Sequence, residues 1–293
     1  MNEAGIIKAG ITNEAGSKEV MLKMLLALML IMAQAVTFAG AQVAPEKIAY
    51  TAGPKIHQPL PFKTGETLFY EVGFSKLIFS GVIGELKMRV SNAEDMQKPG
   101  LLEITADVTS KGFFPKLFGI KVNDRFNALV SSSDLGLQTS TKILEEGKFR
   151  REQVSVIDRE AGRVSFTDRD LDNKNAGPKV KEAASPSWVH DMLSACYFVR
   201  TQKLNEGDVI PIQISDGGEV FNIEVVAEKR EEVKVDAGKF KAIKLNAKIF
   251  DGRYVKRSGE MFVWMSDDAR RVPVRAKIKT SGATITIDLK KVS

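Results

Sequence analysis

The chain has one cysteine and two histidines in 293 residues. A single thiol excludes an intrachain disulfide. Cys196 falls among apolar residues, where a thiol packs as a small hydrophobe rather than acting as a nucleophile. His57 and His190 are too few and too far apart for a histidine-based metal centre, and no cluster of three or four ligands at zinc spacing occurs. His190 and Cys196 lie six residues apart on opposite sides of what reads as one helix, so they do not form a thiol–imidazole pair. Nucleotide-binding glycine loops, a P-loop and an HExxH pair are all missing. No enzyme activity, cofactor or metal is therefore expected. Paired carboxylates are the one catalytic arrangement left open, because sequence does not show which acids meet. No fixed-period repeat is present, which argues against a solenoid or propeller. The net charge of +6 is modest and spread along the chain without interleaved aromatics, so no nucleic-acid partner is expected.

The N-terminal region carries a lysine, Lys23, followed by an apolar run over 24–36 and small residues at Ala39 and Ala41. This is the order of a secretory signal peptide cut before Gln42. The run is short for a spanning helix, so no transmembrane segment is expected in the mature chain. Residues 1–20 are mixed polar and fit no part of the signal, which places the expected translation start at Met21. Export implies a periplasmic location. Residues 42–64 hold Pro45, Pro54, Pro59 and Pro61 and read as an extended leader into a single domain over 65–293.

That domain reads as strand almost throughout. Strands are expected over 67–74, 81–90, 101–109, 122–130, 137–144, 149–157, 163–168, 209–215, 219–235, 240–250, 259–266, 271–280 and 283–292, separated by Gly, Asp and Ser turns. Near the end, Val274, Ala276 and Ile278 alternate with Arg275, Lys277 and Lys279, which gives one dry face and one charged face. A charged outer row cannot sit in lipid, so the pattern favours an apolar interior over an outer-membrane barrel. Residues 169–187 are polar, with Gly177, Pro178 and Pro186, and read as a long loop. Residues 111–118 break the alternation with Phe113, Phe114, Leu117 and Phe118, a short helical turn that either lids the core or forms the mouth of an apolar cavity.

One long helix is expected, over 187–204. Ser187 after Pro186 is a candidate N-cap. At 100° steps Val189, Met192, Leu193, Cys196, Val199 and Leu204 share a face, Trp188 and Tyr197 lie at its margins, and Phe198 falls opposite with His190, Asp191, Ser194 and Thr201. Arg200 falls inside the apolar face and needs either a route to water or a carboxylate partner from a strand. The fold class that follows is mainly β: an antiparallel curved sheet forming a barrel or half-barrel around one central helix.

Two stretches carry a resemblance. One runs from His190 through Asp191, Ser194, Tyr197 and Arg200 to Asp208. The other runs from Val263 through Trp264, Asp267 and Arg271 to Pro273, preceded by Asp236, Gly238 and Phe240. In order and spacing these resemble the exported bacterial family known as domain of unknown function 3108, from about residue 65 to 289. The resemblance implies an antiparallel β protein of the cell envelope, with Asp191, Ser194, Tyr197, Arg200, Asp267 and Arg271 as structural motif residues. It supplies no reaction or substrate.

Two functions fit. One is a carrier or binding module for a lipid or other apolar ligand, with Phe113, Phe114, Leu117, Phe118 and Trp264 as candidate contacts and Lys277 and Lys279 attracting anionic head groups. The other is a structural or assembly protein with a filled core, whose partner is an envelope protein. Trp264 reads first as core packing, and ligand stacking is its second reading.

Overall fold

The computed structural model describes residues 56, 59–77, 79–93, 100–173, 175–256 and 258–293, and the side chains of Phe114 and Phe118 lie outside this description. The expected signal peptide, the start at Met21, His57 and most of the Pro-rich leader also lie outside the described residues.

Among the described residues, fourteen strands form one antiparallel sheet. The first meander comprises β1 (Thr67–Lys76), β2 (Phe79–Asn92), β3 (Leu101–Ser110), β4 (Asn123–Ser131), β5 (Leu137–Glu146), β6 (Phe149–Asp158), β7 (Arg163–Asp170) and β8 (Lys179–Ala184). The second comprises β9 (Val209–Asp216), β10 (Glu219–Val235), β11 (Gly238–Ala247), β12 (Gly259–Ser266), β13 (Pro273–Thr280) and β14 (Ala283–Val292). Pairing of β1 with β14 joins the meanders, so β8 and β9 are the two edges. Two helices are described: α1 (Phe113–Phe118), between β3 and β4, and α2 (Met192–Arg200), between β8 and β9.

Strand β8 lies inside the expected long loop. Its sequence, KVKEAA, is mostly exposed and pairs only with β7. With one neighbour and little burial it shows no apolar alternation, and lysines at a sheet edge are a common guard against further pairing. Pro273 also behaves as its chemistry requires. β13 lies within the sheet, and the register shifts at Trp264/Met265 opposite this proline, so a bulge absorbs the missing donor.

The sheet curls. Helix α2 touches β3 and β4 and also β9. β4 and β9 stand nine places apart in strand order. In a flat sheet, at about 4.8 Å per strand, that is roughly 40 Å. The register puts Leu68, Tyr70, Val72 and Phe74 of β1 on the same concave face as Leu289, Ile287 and Ile285 of β14. The edges do not pair with each other, and the sheet is not closed into a barrel. Among the described residues, two side-chain contacts and one extended segment span the gap. The Lys142 ammonium of β5 meets Asp216 of β9 at 2.5 Å. Lys181 Nζ donates to the Gly217 carbonyl at 3.4 Å. Between β5 and β9 runs the extended segment before α2: Val189 accepts from Leu137 N, His190 donates to the Gln213 carbonyl, and Ser215 N donates to the His190 carbonyl.

Candidate functional site

Helix α2 is shorter than its apolar pattern. Ser187 does not cap it, because residues 188–190 are committed to the extended segment. Trp188 Nε1 donates to the Asp134 carbonyl, and Arg159 grips the Ser187 carbonyl at 2.6 Å and Asp134 at 2.5 Å. The cap is Asp191, four residues later. Its carboxylate accepts from Ser194 N at 2.7 Å while Ser194 Oγ accepts from Asp191 N at 3.0 Å, a reciprocal capping box. The other Asp191 oxygen accepts from Ser140 Oγ of β5 at 2.9 Å. Helical projection sets Phe198 opposite the apolar face, yet it is fully buried between Trp188 and His190, with ring centroids 4.9 Å from each. An extended stretch folded over the helix covers what a bare helix wheel leaves in water.

Arg200 is fully buried. Its guanidinium forms a two-point pair with Glu66, at 2.5 and 2.9 Å, and donates to the Arg270 carbonyl at 3.1 Å. It lies over the Phe62 and Tyr197 rings, 5.0 and 5.1 Å from their centres. The carboxylate comes from the residue just before β1, not from within a strand. Arg271 Nη1 donates to the Arg200 carbonyl at 3.1 Å, and Asp268 ties the same turn by accepting from Arg270 N and Arg271 N. Asp267 faces Arg230 instead, at 3.0 Å. Tyr197, Arg200 and Arg271 thus meet around the C-terminal end of α2 and the β12–β13 turn, whereas Asp191 and Ser194 fasten the other end of α2 to β5. Asp267 points to the β10 side of that turn.

The concave face is not uniformly dry. On β5–β7 the register places Ser140, Lys142, Gln153, Ser155 and Asp168 inward, and Gln153 and both serines are buried. Lys142 meets Asp216, whose second oxygen accepts from Tyr254 Oη at 3.1 Å. Asp124 of β4 and Glu146 of β5 form a carboxyl pair. Burial pushes Asp124 up to about 6, and burial followed by the charge of Asp124 pushes Glu146 up to about 8. The breach of alternation in Thr139-Ser140-Thr141-Lys142 is the sequence signal for this polar wall, which a reading of strand existence alone passes over.

Apolar burial varies along the strands. In the row nearest α2, Ile243, Met265, Leu289, Tyr70 and Leu86 are all buried. In the next row outward, Leu245 and Val72 are buried, but Val263, Ala276 and Ile287 between them are partly exposed although they face inward. Met261 and Ala247, further out, are partly exposed too. Ile278, Ile285 and Phe74 in that outer row are buried again, so the partly exposed residues form a local patch on β11–β14, and beyond it lies the rim that carries α1 and the β1–β2 turn. On that rim Phe113 is 69% and Leu117 53% exposed. Gly112 positions α1: its φ of 106° lies in the left-handed region, and a Cβ there would stand 2.3 Å from the Val82 carbonyl of β2. The side chains of Phe114 and Phe118, also expected at the mouth, lie outside the described residues.

Trp264 is not part of this patch. It faces the convex side with Phe262, donates to Glu231 at 2.6 Å, and lies under Lys244 and Lys277 at 5.9 and 5.8 Å. Lys279 covers Phe262 at 5.2 Å. These lysine stems shield two outward aromatics. Alternation reported the charged face correctly but not that aromatics lie beneath it.

Among the described residues no helix is long and apolar enough to cross a membrane. No curated protein matches the chain in sequence. Among solved structures, a β-barrel-like protein of domain of unknown function 1849 from Brucella abortus superposes with a TM-score of 0.50 at 7% identity, over 78% of this chain and 97% of that one. A protein from Bacteroides fragilis described as exported, with a YmcC-like fold, aligns at 12% identity over 82% and 100%, with a TM-score of 0.35. The first likeness supports the β-barrel-like fold and nothing more. The family model for "Protein of unknown function (DUF3108)" matches residues 70–290, and the chain belongs to that family.

Proposed function

We propose that this is a non-enzymatic protein of the cell envelope, exported to the periplasm through the segment at 21–41, whose sheet curls around α2 and carries a lipid or other apolar molecule on the part of its concave face that α2 leaves uncovered. The observation that carries this reading is the partial exposure of Val263, Ala276, Ile287 and Met261 on an inward apolar face. Inward apolar side chains without full cover are what an acyl chain needs, and pockets lined mainly by such groups with few polar ones are where small apolar ligands bind. Phe113 and Leu117 stand at the rim such a chain would cross. The polar wall on β5–β7 would lie beside the cargo and favour one with a polar end.

A structural role with a filled core is the competing account, favoured by burial of α2 on nearly every side. The two separate in a binding titration. A fluorescent fatty acid should bind the purified protein, and Ile287→Asn should weaken it about tenfold or more while urea unfolding still shows one cooperative transition. Lipids extracted from the purified protein should include one at near-stoichiometric amount. No probe binding together with no co-purified lipid refutes the carrier reading.

A further inference from the structure

The rim away from α2 bears an apolar tip. Leu77 is 89%, Phe79 50%, Phe113 69% and Leu117 53% exposed. All four belong to two adjoining connections: the β1–β2 turn, and the β3–β4 link that holds α1 against β2. Lys111 N donates to the Ile83 carbonyl at 2.9 Å, which locks the second connection beside the first. Soluble proteins seldom leave large apolar side chains grouped in this way without a use. Leu77 adds a second sign. It holds a left-handed backbone with φ of 50°, a conformation that costs a non-glycine residue energy, and there it presents its side chain almost wholly to solvent. Strain kept at an exposed apolar residue points to a working role for that residue.

Charge selects the occupant. Lys76, Lys111, Lys116 and Lys121 flank these residues, and no acid occurs in 72–84 or 108–123. Lys111 meets Glu85 of β2 at 2.5 Å, which leaves Lys76, Lys116 and Lys121 as the tip's main positive charges, the last two exposed. Exposed aromatic and aliphatic residues ringed by lysines match a bilayer surface with anionic head groups, where apolar groups enter the interface and lysines attract the lipid charge. We infer that this tip docks on an anionic lipid surface. Docking would place this rim of the curled sheet against the bilayer, on the side from which an apolar cargo could reach the concave face with the least exposure to water. This deepens the carrier reading and rests on it.

The test uses the purified full-length product as cells release it and vesicles of phosphatidylcholine with or without phosphatidylglycerol. The protein should co-sediment with the mixed vesicles and not with pure phosphatidylcholine, and added salt should release it. Lys116→Glu should lower partitioning about tenfold or more, since each basic residue near an anionic surface contributes roughly a factor of five. Leu77→Ser with Phe79→Ser should have an effect of similar size through lost apolar insertion. These residues are exposed, so the variants should unfold in urea at the wild-type midpoint. Absence of vesicle binding, equal binding to both vesicle types, or wild-type binding by the variants overturns the inference. So does concentration-dependent self-association through the tip, which would make a second copy the occupant. Vesicle binding by a protein that takes up no fatty acid would leave docking in place and remove the cargo.

Discussion

The Arg200–Glu66 pair offers the sharpest test of how the fold is held. Arg200 has no solvent exposure and Glu66 has 11%. The guanidinium also donates to the Arg270 and Pro61 carbonyls, so its donors are well used. Removing one partner of such a pair leaves a buried charge uncompensated, at a cost of about 3–5 kcal/mol. Arg200→Ala also takes away the planar group over Phe62 and Tyr197, so it belongs at the upper end. Glu66→Gln belongs at the lower end, because two carbonyls still face the guanidinium. Replacing both by Met should cost less than the sum of the single changes, since paired apolar groups of similar volume often substitute for a buried ion pair at little cost. Urea unfolding at neutral pH, fitted with a common m-value, gives all three numbers. A loss below about 1 kcal/mol for Arg200→Ala, or additivity within about 0.5 kcal/mol in the cycle, would refute the reasoning.

Two further predictions concern pH. The Asp124–Glu146 pair has folded pKa values raised to about 6 and about 8. Its contribution is therefore present in acid and is lost as pH rises from the unfolded carboxylate range towards 8; unfolding of Glu146→Gln at pH 9 should show a gain of at least about 1 kcal/mol over the parent, and a pH-independent difference would contradict this. His190 runs the other way. Burial lowers its pKa to about 3, against an attraction from Asp134, and neither ring nitrogen has a hydrogen-bond partner among the described residues. The unfolded chain takes up a proton below about pH 6.5 that the folded chain refuses, so stability falls in acid; His190→Phe, which keeps a ring between Trp188 and Phe198, should gain about 2 kcal/mol on the parent at pH 5 and little at pH 8.

The legible part of the fold was the part governed by two-residue alternation. Strands with two neighbours and one dry face, such as β13 and β14, have no other way to satisfy both faces, so their pattern survives in the sequence. β8 has one neighbour and almost no burial, and nothing in KVKEAA distinguishes it from a loop. The helix failed in a more instructive way. Its apolar stripe continues through Val189 and Trp188 because these residues are also buried, but by an extended strand rather than a helical turn. Periodicity reports burial and not backbone geometry. Asp191 and Ser194 carried the true boundary, since a capping box needs an acceptor at the first residue and a partner three on. Arg200 was legible for a different reason: a charge inside an apolar stripe must be paired, whatever the fold. Its partner was not, because Glu66 lies 134 residues away and only the curl of the sheet brings the two together.

The placement of polar groups on the concave face follows from how the two edges meet. β8 and β9 do not share a ladder, so the backbone groups that pairing would satisfy need other partners, and side chains near the seam must supply the attraction that a ladder would have given. Lys142 reaches Asp216 of the β9 edge from β5, three strands in from the β8 edge, and Tyr254 completes the hydrogen bonding of the carboxylate. A charged pair this shielded contributes little net stability over an apolar contact, because desolvation offsets most of the attraction. It does fix which groups meet, since any other register would strand a buried charge. The polar wall can thus serve as the fastening of an unclosed sheet, independent of any cargo. On this argument Lys142→Met with Asp216→Leu should leave the seam joined, whereas either change alone should loosen β9. Polarity there marks where the first meander holds the β9 edge across the interior, and the partly exposed apolar residues on β12–β14 remain the ground for a bound ligand.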